Sequence, residues 1–536
     1  MTATPSSSIV WVFNSQVLHC STTPALVICF FVALYTTLVN VEHLLGLRDV
    51  QTATLPPTSS LQSQGAGGII RVFLGNASST NGTVEEERRP DHRGSRAACA
   101  GRQIYVYKLP PQFNQKLIES CRSQPGWRNM CYDLSNQGLG AQFDVPESDP
   151  LANVLLPRTA WFKTNQFSLE LLFHERLKAY PCLTDDPEQA AMSYIPFYSA
   201  LDLTPKLFEN SVAVRDQLSE RLVGWLQSNR HWETSGGKKH IMVLGRIVWD
   251  YVRPVNAFKP GAAWGNALLS FPELWNVTKL SIERNPWDSE QMAIPYPTSF
   301  HPASDVEMVA WQSTIRNAKR NKLVVFVGSP RYNKVGGTDL RRELMRQCSG
   351  AGNADSTTPW SDRDNNTTTA AAAAGIANSN RTKDPSRSCT MVLCNVVGCA
   401  RNPQAPIRAF LEAVFCLQPP GDSATRKSFF DCLIAGGIPV LFDNMSAAQQ
   451  YQWHLPGNTS SYAITFNRKQ VVSGELDIVK RLLEIPHEVI TSMQATITDM
   501  VSHFVYQKPG SKLGIKDAFD YTIDHLLQKF DAHVTI

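Results

Sequence analysis

Residues 415–442 read FCLQPPGDSATRKSFFDCLIAGGIPVLF, and this stretch decides the fold. Ala413–Leu417 is a short apolar run, as a buried parallel strand requires. Pro419-Pro420-Gly421-Asp422 breaks the run with turn residues. From Ser423 to Ala435 the spacing is helical, with Phe429, Phe430, Leu433 and Ile434 on one broad face. Gly436-Gly437 ends that helix, where a positive φ is cheap only for glycine. Ile438–Phe442 is a second buried strand, so the unit is a βαβ crossover and the sheet is parallel.

The front of this helix is loaded for an anion. Ser423, Thr425, Arg426 and Lys427 crowd its expected first turn, where free N–H groups and the helix dipole already favour negative charge. Hydroxyls and a guanidinium add donors suited to phosphate. Asp431 follows on the same face, placed to accept from ribose hydroxyls. A plainer reading stands beside this one: Ser423 caps the helix and Asp431 pairs with Lys427. Two electrostatic misfits favour a nucleotide diphosphate. The Lys427–Asp431 pair runs in the weaker order, cation first, and Arg426 at a helix N-terminus is unfavourable without an anion.

At 536 residues the chain holds about two to three domains. A net charge of +4 with no basic block excludes a nucleic-acid partner. Cys20 and Cys29 precede ten further cysteines, an even number that suits an oxidising lumen. Cys389, Cys394 and Cys399 stand five apart, too wide for a zinc knuckle, so disulfides are expected there. Cys416 and Cys432 fall in core elements and are expected as free thiols.

Pro24–Val41 is uncharged and long enough to span a bilayer. No small-x-small cleavage site follows closely, which favours an uncleaved anchor over a signal peptide. The expected order is a cytosolic tail over 1–23, an anchor over 24–45 and a lumenal stem over 46–98, poor in large apolar residues. Eight Asn-x-Ser/Thr sequons, at Asn76, Asn81, Asn276, Asn365, Asn366, Asn380, Asn444 and Asn458, agree with a lumenal body. Strands and helices alternate from Ile104 to Pro295, with a helix expected over Leu207–Gln227, and the pattern restarts at Leu323–Gly328. This predicts α/β domains over 99–318 and 319–536, with a hinge at Arg316–Lys322 and a disordered insertion over 349–388. The last helix, Asp517–Phe530, suits packing back across both domains.

Seven stretches together resemble the exostosin-like glycosyltransferases, family 47, and within it the plant branch that includes xyloglucan galactosyltransferases. They are IYVYKLP (Ile104–Pro110), YIPFY (Tyr194–Tyr198), GRIVWDYVR (Gly245–Arg253), AIPYPTSFHP (Ala293–Pro302), FVGSPR (Phe326–Arg331), Phe415–Phe442 and YQWHLP (Tyr451–Pro456). The resemblance implies a GT-B fold of two facing Rossmann-like domains, with the donor nucleotide on the second and the acceptor on the first. It also implies a single-pass type II Golgi membrane protein that moves a sugar from a UDP-sugar with inversion. Galactose is the expected sugar and a xyloglucan-type side chain the expected acceptor. Gly437 stands where relatives often have cysteine.

Inverting transfer needs stabilisation of the leaving group and a base for the acceptor hydroxyl. The one Asp-x-Asp pair, Asp362 and Asp364, lies in the insertion, so no metal cofactor is expected. Arg331, after a strand, joins Ser423, Thr425, Arg426 and Asp431 as a donor ligand. Asp250, Glu283 and His301 are the candidate bases, with Asp250 first on position. Each has a plainer role: Asp250 with Arg246 or Arg253, Glu283 with Arg284, His301 on backbone. Trp249, Tyr251 and Trp264 are candidates for stacking on acceptor sugars, or for core. Galacturonosyl or arabinosyl transfer, or a non-catalytic subunit partnering other Golgi glycosyltransferases, are the competing functions. A glycoside hydrolase would need an opposed carboxylate pair that the sequence does not display.

Overall fold

The computed structural model describes residues 9–13, 16–20, 99–122, 131–209, 211–253, 264–330, 338–349, 376–378, 389–511 and 513–532. They belong to two compact units, Met1–Arg88 and Arg89–Ile536. The first contributes an antiparallel hairpin of β1 (Ile9–Phe13) and β2 (Gln16–Cys20). The expected anchor over Pro24–Val41 and the stem lie outside the described residues. Among those described, no helix is long and apolar enough to cross a membrane.

The second unit holds two six-stranded sheets. One is built from β3 (Ile104–Val106), β4 (Leu183–Thr184), β5 (Met192–Ile195), β6 (His240–Leu244), β7 (Thr278–Ser281) and β8 (Gln291–Ala293). Its order is β4-β3-β5-β6-β7-β8 and every pair is parallel. The other is built from β9 (Lys322–Gly328), β10 (Ile376–Asn378), β11 (Cys389–Leu393), β12 (Ala413–Gln418), β13 (Ile438–Leu441) and β14 (Ile464–Thr465). Its order is β10-β11-β9-β12-β13-β14, parallel except where β10 runs antiparallel along β11. Strands such as β6 and β13 are buried at every residue, which a parallel sheet requires because crossover helices cover both its faces.

The longer helices are α1 (Leu169–Lys178), α2 (Ser199–Lys206), α3 (Val212–Gln227), α4 (Asp305–Arg316), α5 (Thr338–Cys348), α6 (Gln404–Glu412), α7 (Lys427–Ile434), α8 (His487–Asp499) and α9 (Ala518–Ala532). One apolar cluster runs unbroken from Val243 of the first sheet through Trp161 and Trp311 to Val325 of the second and Phe430 of α7. The Trp161 and Trp311 rings meet edge to face at 4.7 Å, and the Trp311 indole N–H donates to the Ile434 carbonyl at 2.8 Å, closing α7. As the sequence suggested, the last helix reaches back. Phe519 packs on Phe173 with centroids 4.8 Å apart, and Asp517 takes the Arg176 guanidinium at 3.1 Å with both side chains buried.

The structure corrects several expectations. Helix α7 starts at Lys427, not Ser423, so residues 423–426 form a loop in front of the helix. The helix expected over Leu207–Gln227 starts only at Val212, as α3, and a separate helix, α2, ends just before it at Lys206. Residues 376–378 inside the insertion form a strand. Arg316–Lys322 is no hinge at its centre, because half-buried Arg320 reaches the carbonyls of Phe410, Leu411, Ala413 and Ala435 at 2.6–3.2 Å. A cation among terminal helix carbonyls is well placed and hard to move.

Cys416 and Cys432 are not thiols. They form a disulfide from β12 to α7, joining Cα atoms 6.3 Å apart, because the crossover lays helix directly on strand. The other eight cysteines of the second unit pair as Cys99–Cys182, Cys121–Cys131, Cys348–Cys389 and Cys394–Cys399. A Cβ on Gly437 would lie 2.6 Å from Cys416 Sγ and 3.0 Å from Cys432 Sγ. Gly437→Ala should therefore destabilise the protein by about 1–3 kcal/mol, as overpacked cores do. Thermal unfolding under oxidising conditions measures this, and an unchanged midpoint would refute tight packing of Gly437 against the disulfide.

Candidate active site

The loop between β12 and α7 is clamped at its ends. Ser428 Oγ donates to Gln418 Oε1 at 2.7 Å, and Gln418 Nε2 donates to the Ser428 carbonyl at 3.1 Å. Fully buried Arg341 holds the loop from behind, donating to the Pro420 carbonyl at 3.0 Å and to the Ser329 carbonyl at 2.9 Å beyond β9. Both carbonyls lie just past the C-terminal ends of their strands, the edge where open α/β sheets bind ligands. Arg426 occupies the N-cap in extended conformation, without a side-chain cap, so α7 opens on a guanidinium-bearing residue rather than a self-capping one.

The first sheet meets this loop at Glu283. Its carboxylate is 1% exposed. Tyr296 Oη donates to Oε1 at 2.6 Å and the Thr425 N–H donates to Oε2 at 3.0 Å. Burial pushes the carboxyl up to about 7, against the opposing pull of the Tyr296 hydroxyl, the Thr425 N–H, the Ser423 hydroxyl and the Arg426 charge. Its neighbours are stitched across too. The Ile282 carbonyl accepts from Tyr451 Oη at 2.8 Å, and the Arg284 N–H donates to Gln450 Oε1 at 2.8 Å. The Arg284 guanidinium reaches the Gln449 carbonyl at 3.0 Å. The expected Glu283–Arg284 pair is thus replaced by bonds from each residue to the second sheet.

The structure therefore brings Glu283, Ser423, Thr425 and Arg426 into one place. Asp431 lies one helical turn further along, with Lys427 Nζ on its two oxygens at 2.6 and 2.9 Å. Burial raises the Asp431 carboxyl while Lys427 opposes that shift. The plainer pairing weighed for this residue is the one observed. Arg331, Asp362 and Asp364 lie outside the described residues.

Asp250 and His301 sit elsewhere. Asp250 follows β6 in a short helix over Val248–Tyr251. Its oxygens accept from Arg246 Nε at 2.7 Å and Trp264 Nε1 at 2.6 Å. His301 is wholly buried, with Nδ1 2.7 Å from the Tyr506 carbonyl and Nε2 2.9 Å from Thr164 Oγ. Burial pushes its ring down to about 4, so it stays neutral between the first sheet and the C-terminal segment.

Two acidic-site features escape sequence reasoning. Tyr296 stands in the proline-framed loop already singled out, but nothing local shows that its hydroxyl meets Glu283. Glu170, on α1, accepts from the N–H groups of Ala200, Leu201 and Gly245 and from Ser199 Oγ at 3.0–3.3 Å. It caps α2 beside the end of β6, and burial raises its carboxyl to about 8. Its one sequence signal is a carboxylate among Leu169, Leu171 and Leu172.

The family model described as the exostosin GT47 domain matches residues 98–482. The xyloglucan galactosyltransferase XLT2 of Arabidopsis thaliana is 35% identical over 437 residues, covering 81% of this chain and 75% of its own length. The xyloglucan galactosyltransferase MUR3 of the same plant is 34% identical over 434 residues, covering 80% and 62%. The plant's xyloglucan-specific galacturonosyltransferase 1 is 34% identical over 442 residues, covering 82% and 59%.

The Glu283 environment has a measurable consequence. Its carboxyl moves from 4.5 in the unfolded chain to about 7 in the fold. Between those values the folded protein binds the extra proton, so wild-type stability declines as pH rises through the window and levels off above it. Glu283→Gln removes that dependence and should gain about 3 kcal/mol on wild type between the two limits. Urea unfolding at pH 4.5, 5.5 and 7.5 reads the difference (both proteins at about equal ionic strength). Parallel stability curves would show that burial does not hold the proton.

Proposed function

The chain belongs to the exostosin GT47 family, and on that footing we propose that it is an inverting, UDP-sugar-dependent Golgi transferase that galactosylates xyloglucan-type side chains. The carrying observation is the meeting of Glu283 with the loop of Ser423, Thr425 and Arg426. The two parallel sheets, joined by a returning C-terminal helix, support a GT-B reading with an acceptor domain over 99–318 and a donor domain over 319–536. The apolar Pro24–Val41 run supports a type II anchor in the Golgi membrane.

In this reading the diphosphate lies against the front of α7 and takes the Thr425 N–H from Glu283. Arg426, the Ser423 hydroxyl and the helix dipole then meet the charge that grows as the bond from sugar C1 to the β-phosphate breaks. Arg331 is a further proposed ligand, from its place after β9, and Asp431 receives the ribose hydroxyls. No metal is required, since fixed cations meet that charge. Glu283, released from the loop but still held by Tyr296, takes the proton of the acceptor hydroxyl as its oxygen bonds C1 from the opposite face. A carboxylate near 7 is well matched to that task. Asp250 has its two oxygens occupied, one by Arg246 Nε and the other by the Trp264 indole N–H. His301 has both nitrogens engaged.

One observation favours a second donor. The galacturonosyltransferase relative is 34% identical, level with a galactosyltransferase relative at 34%. UDP-galactose and UDP-galacturonic acid, each offered with xyloglucan oligosaccharides, separate the two by product mass and linkage. Galactosyl product from the first donor alone is expected, and a uronosyl product alone would overturn the galactose assignment.

Two kinetic outcomes test the residue roles. Glu283→Gln should lower kcat by about 100-fold or more while UDP binds as tightly as before, since a base acts on turnover. Wild-type kcat/KM should fall as pH drops below about 7, and Tyr296→Phe should move that limb up by about one unit by removing a donor to the ionised form. An unmoved limb in Tyr296→Phe would dismiss Glu283 as the titrating base.

A further inference from the structure

Beside Glu283, the rim of the first sheet carries exposed aromatic surface. The Val248 N–H donates to the Glu283 backbone carbonyl at 3.2 Å, so the short Val248–Tyr251 helix begins against the backbone of the residue that carries the proposed base. Trp249 on that helix is 39% exposed. Trp264, whose indole N–H is fixed on Asp250, is 51% exposed, and Phe208, edge-on to it with centroids 5.8 Å apart, is 64% exposed. Large apolar side chains gathered and left open at a sheet's ligand-binding edge mark a binding surface.

The support beneath them is rigid. Asp250 is locked between Arg246 and Trp264, and the Arg246 guanidinium lies over the Phe167 ring at 4.3 Å. The Gly265 backbone presses so closely on Asp250 that a Cβ would come 2.1 Å from its carbonyl oxygen. The indole is therefore held by its edge with its faces set in advance, which lowers the cost of ordering it on binding. Asp250 and Arg246 also cancel each other's charge, so the surface offers aromatic faces without net charge from the pair that supports it.

We infer that Trp249, Trp264 and Phe208 form an acceptor subsite that stacks the pyranose rings of a neutral β-glucan backbone and presents its side chain to Glu283. This rests on the transferase reading above and assigns Asp250 a positioning role rather than a catalytic one. Apolar C–H faces of neutral pyranoses suit indole and phenyl faces. A polyanionic glycan would have to compete with Asp250 for Arg246, the cation beneath these rings.

The test uses the full chain and three variants, Trp249→Ala, Phe208→Ala and Trp264→Phe. Two readouts are needed: KM values for xyloglucan oligosaccharide and for UDP-sugar, and retardation in gels containing xyloglucan or polygalacturonate. Trp249→Ala and Phe208→Ala should raise the acceptor KM roughly tenfold or more and leave the donor KM within about twofold. Wild type should be retarded by xyloglucan and not by polygalacturonate, and both alanine variants should lose the retardation. These two variants leave the Asp250 bonds in place, so the inference stays testable should Trp264→Phe fail to fold. An active wild type whose alanine variants keep the acceptor KM overturns the subsite alone. Stronger retardation by polygalacturonate overturns the neutral-glycan assignment. A wild type that binds UDP but neither transfers nor is retarded overturns this inference together with the transferase reading.

Discussion

A carboxylate shared between two sheets is the constraint on which the rest depends. Glu283 is buried, yet its oxygens meet a tyrosine hydroxyl from its own sheet and a backbone N–H from the other. A buried carboxylate with these donors cannot drift without leaving polar groups unsatisfied. The loop in front of α7 is thereby held at a fixed height over the end of β7. Arg341 and the Gln418–Ser428 pair hold the same loop from the opposite side. The anion-ready segment is suspended between two sets of bonds, one within its sheet and one across the cleft.

The wider architecture keeps those two sets in register. Trp311 ties α4 to the end of α7, Arg320 gathers carbonyls from the ends of α6 and α7, and α9 returns to α1 through the buried Arg176–Asp517 pair. His301, considered as a base on sequence grounds, belongs to this scaffold, bridging Thr164 and the Tyr506 carbonyl. Polar side chains buried at such junctions specify which surfaces meet, because an apolar core alone would tolerate sliding. The chemistry then rests on the few groups left at the rim.

Much of the site was legible in the chain because its parts are neighbours in sequence. Ser423, Thr425 and Arg426 were recognisable as a cluster of hydroxyls and a guanidinium from the turn before them and the helix after, although the helix starts later than its spacing implied. The Lys427–Asp431 contact was legible as an i,i+4 pair. The second sheet's βαβ unit followed from apolar runs and glycines. The Cys416–Cys432 bridge was missed because placing both residues in the core says nothing of whether strand and helix bring them within bonding distance.

What the sequence by itself determined is the family, the parallel α/β class and the hydroxyl- and arginine-bearing cluster over 423–426, since each is written in local pattern and spacing. What only the tertiary structure decided is which carboxylate stands opposite that cluster. Glu283 and Thr425 are separated by 142 residues, and their contact follows from how two sheets dock. Asp250 and Glu283 both follow strands of one sheet, and local spacing does not rank them. Burial and partners do: an arginine and an indole hold Asp250, while desolvation lifts Glu283 toward neutrality. Long-range packing sets the dielectric around a side chain, and the dielectric sets its chemistry.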